Sequence, residues 1–247
     1  MRTYLEALPR RLEVRQVSHI FKKEIGAYFV SPIAYIVISI FLLVTGWFFF
    51  SAFFLFNQAN LRGFFGLLPI TLSFLIPAIT MRLFSEELNT GSYEILLTLP
   101  VTSVEVILGK FLASVAFIAA MLVPTVFYPI SVSFLGRLDW GPVAGGYIGA
   151  LFLGAAFSGI GLFVSSLTRN QIIAFITGMA LCFGLTLIDK MLFFLPQSWL
   201  GFLQYLGADF HFQNISKGIL DSRDIVYFLS VSFIALYGTY LVIEERR

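Results

Sequence analysis

The run from Pro32 to Phe56 holds no charged residue, and several similar runs follow it. A helix rises about 1.5 Å per residue, so about 20 apolar residues cross about 30 Å of hydrocarbon. Barrel strands are shorter and alternate in polarity, and these runs are long and continuous. In lipid a helix satisfies its backbone groups internally, so the pattern predicts an all-α integral membrane protein. Composition agrees: 58% of the 247 residues are hydrophobic and 12% are charged, against about a quarter charged in soluble domains. The 29 Phe are more than a soluble core of this length could hide.

Six spans are predicted, at 32–56, 64–81, 106–128, 144–167, 171–188 and 225–243. No internal repeat, low-complexity tract or linker divides them, so 1–247 reads as one transmembrane domain. The first apolar run lacks an A-x-A-like cleavage site and is expected to remain as a span. The single cysteine, Cys182, gives no disulfide or metal signal.

Lys and Arg set the orientation. Arg2, Arg10, Arg11, Arg15, Lys22 and Lys23 precede the first span, and "EERR" lies beyond the last. With six spans, both termini, the 82–105 loop and the 168–170 turn share one side. The positive-inside rule makes that side cytoplasmic. The opposite side collects Arg62, Arg137, Lys190, Lys217 and Arg223. There the connection 195–224 is long and half apolar, which predicts folding back onto the protein or dipping into the interface. Within the arm 1–31, Val14, Val17, Phe21, Ile25 and Tyr28 recur at helical spacing, away from Arg15, Lys22 and Lys23. This predicts a basic amphipathic helix in the cytoplasmic interface; the alternative is a soluble arm touching water and partner protein.

The loop between the second and third spans contains "EELNTGSYEILLTLP", Glu86 to Pro100. Two adjacent carboxylates open it, a short helix is expected over 91–99, and Pro100 ends that helix. Thr102 to Glu105 then fits the S/T-x-x-E capping box, with Val101 and Val106 at the staple positions. Ser103 lies beside the box without a role in it, and Lys110 is expected to snorkel to water. A short helix between two fixed ends suits a rigid peg gripped by a cytoplasmic partner. The alternative is an interfacial helix that merely orders the loop.

The segment "SEELNTGSYEILLTLPVTSVEVILGKFLAS" resembles the signature region of ABC-2 type transporter permeases. The acidic pair, the Gly-Ser-x-Glu step, "LLTLPV" and "GK" carry the likeness, and the span pattern extends it over the chain. Among these permeases it looks most like the small gliding-motility-associated subunits, with nitrous-oxide-reductase maturation permeases as relatives. The resemblance implies a type V exporter-like fold, with a short coupling helix between helices 2 and 3 that docks on a separate ABC ATP-binding subunit. Glu86 and Glu87 would lie at its membrane-side start, and Gly91 would allow the turn. Ser92, Tyr93, Glu94 and Leu97 would be contacts before Pro100, and Arg169 in "SLTRN" a second contact. It further implies a second permease copy or a paralogue, since six spans make half of the family's pathway. ATP and Mg2+ would belong to the partner subunit, with no cofactor on this chain, and the membrane would be a bacterial inner membrane.

The residues themselves bear on rival activities. No G-x-x-x-x-G-K-[ST] loop is present, so nucleotide hydrolysis would need a partner. An intramembrane enzyme would need an activated nucleophile or metal ligands, and His19 and His211 both fall outside the spans. Ser158 belongs instead with Gly146, Ala150 and Gly154, a small-residue ridge at four-residue spacing that suits close helix packing. An ion-coupled carrier would need ionisable groups at mid-span, and the centres of these spans have none. A membrane scaffold without transport is the remaining alternative. Spans rich in Phe, Leu, Ile and Thr suit an apolar or amphipathic cargo in the bilayer, or work on a periplasmic partner, and nothing points to nucleic acid.

Overall fold

The computed structural model describes residues 14–56, 60–94, 100–191, 204–219 and 221–246. Its helices are α1 (Val14–Val30), α2 (Pro32–Phe56), α3 (Arg62–Thr80), α4 (Arg82–Thr90) and α5 (Ser103–Leu122). After a 3₁₀ turn, Val123–Val126, come α6 (Phe127–Leu135), α7 (Trp140–Leu167), α8 (Gln171–Met191), α9 (Ala208–Ser216) and α10 (Ser222–Glu245). No strand occurs among the described residues.

All six predicted spans are present, as Pro32–Leu55, Arg62–Thr90, Ser103–Leu135, Trp140–Leu167, Gln171–Met191 and Ser222–Glu245. Two boundaries move by more than about one helical turn. Helix continues from the second span through Thr90, so 82–90, expected as loop, is α4. The apolar run stops at Arg82, but hydropathy reports where lipid ends, whereas a helix ends where its backbone is turned. Here the turn comes at Gly91, whose φ of 72° is left-handed. The third span likewise runs on through Pro124 to Leu135, because proline is tolerated at the first positions of the 3₁₀ turn.

Between α3 and α4 the helical ladder receives a side chain from outside. Ser165 of α7 accepts through Oγ from the backbone N–H groups of Phe84 and Ser85, both at 3.0 Å. Its hydroxyl donates to the Met81 carbonyl at 2.7 Å. An inserted hydroxyl of this kind accounts for a break in the ladder. Ser165→Ala should therefore cost about 1–3 kcal/mol for each buried backbone group left without a partner. A change in the thermal midpoint no larger than that of an exposed Ser→Ala would refute the assignment.

The core centres on α7, the most buried span; α8 and α10 are the least buried. Helices α10, α3, α8, α5 and α9 all pack against it. Its predicted ridge meets several neighbours: Gly146 lies against the Phe65 ring, and a Cβ on Gly154 would stand 3.0 Å from Ile118. Ala150 and Ser158 are fully buried. A second set, Gly145 and Gly149, faces α9, where the Ile215 carbonyl approaches Gly145 closely.

The helix expected in the arm is α1, and its apolar side packs on protein. Ile20, Phe21 and Ile25 lie against the core and Tyr28 is buried in it. Contacts step along α1 and α5 in the same direction, from Ile20 beside Gly109 to the Tyr28 and Phe117 rings, 4.9 Å apart. The small side of α5 at Gly109 and Ala113 supplies the groove, which competes directly with lipid for the stripe. At the opposite end, α9 realises the expected fold-back, with Ala208, Asp209, His211, Phe212 and Ile215 buried.

Candidate coupling interface

The segment that raised the functional question sits at the end of the bundle that carries Val14 and Arg246. Residues 95–99, with the contact residue Leu97, lie outside the described residues, as does 1–13 of the arm. What is described is the root. Helix α4 ends at Gly91, Glu94 N–H returns to the Gly91 carbonyl at 3.1 Å, and Thr90 and Ser92 hydroxyls pair at 2.9 Å. Tyr93 is buried, whereas Ser92, Glu94 and Pro100 are exposed.

The acidic pair divides. Glu86, half-exposed, pairs with Arg82 one turn back at 3.2 Å. Glu87 turns inward to Lys110, its Oε1 at 2.8 Å from Nζ. Lys110 does not reach water: its side chain is only 2% exposed. Its ammonium also donates to Glu24 Oε1 of α1 at 3.1 Å and to the Leu83 carbonyl at 2.8 Å, and lies over the Phe84 ring. Three donors thus find three acceptors on two other elements. Snorkelling fails because α1 covers the site, and sequence distance hid Glu24 from Lys110. A single Lys one turn inside a span, opposite an acidic pair, was the available signal.

Around this clamp, α1, α4 and α5 enclose a cleft of about 280 Å3 lined by Lys23, Glu24, Arg82, Glu86, Glu87 and Lys110, among others. Tyr28 closes its inner wall, donating to the Ile79 carbonyl at 3.4 Å; burial, helped by the nearby Glu24 charge, pushes its phenol up from the ordinary range, so it remains a neutral donor.

The exit from the loop is also built as a fixed point. Glu105 N–H donates to Thr102 Oγ1 at 3.3 Å and Thr102 N–H to Glu105 Oε2 at 2.8 Å, completing the capping box. Ser103 is not idle: its hydroxyl donates to Glu244 Oε2 of α10 at 2.9 Å. Arg169 stands exposed in the α7–α8 turn at this same end, where Arg246 donates to the Leu167 carbonyl at 3.2 Å. Among the described residues no group of three or more His, Cys, Asp or Glu is arranged to hold a metal.

A family model described as ABC-2 family transporter protein matches residues 17–219, most of the chain. The chain belongs to the ABC-2 transporter family. This ABC-2 protein is thus a multi-pass membrane permease subunit of an ABC transporter. Permeases of the family generally are non-catalytic transmembrane components and imply an ABC ATP-binding partner. No curated protein matches the chain.

Proposed function

We propose that this ABC-2 permease carries work from an ATP-binding subunit, docked on residues 91–100, into the spans α3 and α5. The observation that carries this reading is the root of the segment. A left-handed Gly91 sits at the end of a helix continuous with a span, beside a buried Lys110 that joins α1, α4 and α5. Movement at 92–100 would pull on α3 through α4 and on α5 through the Thr102 cap, with little slack at either end. Exposed Ser92 and Glu94 offer docking contacts, and Arg169 offers a second. ATP and Mg2+ are held by the partner, and a second copy or a paralogous permease completes the pathway. The cargo is an apolar or amphipathic molecule moved outward, or the work is passed to a periplasmic partner, as suits the gliding-motility-associated subunits it resembles.

The test is co-expression with an ATP-binding subunit and purification in mild detergent. The expected result is a stable complex with ATP turnover, and none from this chain alone. Turnover in a preparation containing only this chain would overturn the reading. The orientation has its own check: a cysteine at Asn89 should resist an impermeant reagent added to intact cells, and one at Ser222 should react. Labelling of the Asn89 position would reverse the topology.

A further inference from the structure

At the end of the bundle opposite the coupling interface, His211 of α9 lies between two oxygens. Its Nε2 is 2.9 Å from the Tyr205 carbonyl and its Nδ1 is 2.6 Å from Asp224 Oδ1 of α10. A carbonyl oxygen only accepts, so Nε2 carries a proton and donates it. A neutral imidazole would then present a bare lone pair on Nδ1 to the carboxylate, and two lone pairs repel at 2.6 Å. The short contact requires one more proton, held between Nδ1 and Oδ1.

We propose that His211 and Asp224 hold one proton beyond the single ring proton of a neutral imidazole, taken from the water on that side of the membrane, and that this proton latches the Tyr205 segment to α9 and α10. Both side chains are buried, 3% and 4% exposed. Asp224 Oδ2 is buried with no hydrogen-bond partner among the described residues, so Asp224 is poorly suited to standing alone as an anion. The Tyr227 ring stacks on the imidazole, centroids 4.0 Å apart, and an aromatic face favours the protonated ring. Once the proton leaves, the neutral imidazole keeps one ring proton, which goes to the Asp224 carboxylate, so the Tyr205 carbonyl faces a bare Nε2 lone pair and that tie is lost.

Among the described residues no third charged side chain forms an ion pair with His211 or Asp224. On α9, Asp209 takes Lys190 of α8 at 2.9 Å and Gln213 at 3.0 Å. Helix α8 also brings Asp189, next to Gly207. Besides Asp224, α10 brings exposed Arg223 and Tyr227, whose hydroxyl donates to the Leu206 carbonyl at 2.7 Å. Lys217 caps α9 and is exposed. Helix α7 meets α9 through Gly145 and Gly149, and its Tyr147 pairs with Thr125; α3 contributes Arg62, its first residue.

The decisive variant is Asp224→Asn. An asparagine amide donates to Nδ1 while Nε2 still donates to Tyr205, so the bond survives without the extra proton. Hydrogen–deuterium exchange is followed on the full chain in detergent, comparing a 204–216 peptide with one from α7. In the wild type, raising the pH should speed exchange at 204–216 beyond the increase seen at α7. In Asp224→Asn this excess should be lost. No excess in the wild type, or an equal excess in the variant, overturns the proposal. A second measurement needs no variant of the pair: nitrogen NMR of labelled histidine in His19→Gln, which leaves His211 as the sole imidazole. Both ring nitrogens should be proton-bearing at the low-pH end of the exchange series and Nε2 bare at the high-pH end, and a ring with one proton throughout overturns the latch.

Discussion

Lys110→Met should destabilise the permease by about 3–5 kcal/mol, the usual cost of removing one partner from a buried ion pair. The ammonium satisfies Glu24, Glu87 and the Leu83 carbonyl within 3.1 Å while only 2% exposed. Methionine fills similar volume but leaves the two carboxylates with only the largely exposed Lys23, 3.7 Å from each, and no buried cation between them. The loss is electrostatic in this account, so neutralising the acids should restore most of it. Lys110→Met combined with Glu24→Gln and Glu87→Gln is therefore expected to recover much of the lost stability, since a buried pair replaced on both sides is often near neutral. The measurement is the thermal midpoint of the purified chain, with yield of folded protein as a second readout. A single variant within about 0.5 kcal/mol of wild type, the scale of an ordinary surface change, would show that the clamp does not hold the three helices together.

Gly91→Val should lower assembly with the ATP-binding subunit although the residue makes no docking contact of its own. Valine at a φ of 72° is strained by about 1–3 kcal/mol. A Cβ there would meet nothing within 4 Å, so the effect is conformational rather than a clash. The chain has two ways to relieve the strain: to redirect residues 92–100, or to fray the end of α4. Either one moves the docking segment off its root. Glu94→Arg tests the contact itself, because a reversed charge at an interface costs several kcal/mol when it meets a like charge. Ser103 cannot serve as the silent control, since it bonds Glu244. Gly66→Ala can, as its added Cβ would meet nothing within 4 Å and φ is not in the left-handed region. Co-purification of the ATP-binding subunit, scaled to folded permease, is the readout. Unchanged assembly in both Gly91→Val and Glu94→Arg would leave the segment as an ordered loop without a coupling role.

The two ends of the loop were unequally legible. The cap at Thr102 and Glu105 is a local device, complete within four residues, and the structure forms it as read. The root is not local. Glu86 and Glu87 look alike in the sequence, yet one stays near water with Arg82 and the other turns in to Lys110. Which does which depends on α1 arriving beside α5, and nothing near either glutamate specifies that.

The spans, their helical nature and the capped restart of the third follow from the sequence alone, because lipid imposes one demand on the backbone and apolar length reports it directly. Tertiary structure decided where those helices end and which polar groups are hidden. Arg82 ends the apolar run but not the helix, since charge marks the edge of lipid and only Gly91 turns the chain. Lys110, Asp209, His211 and Asp224 are buried because another helix brings each its partner. A buried charge is stable only in company, and that company is set by packing.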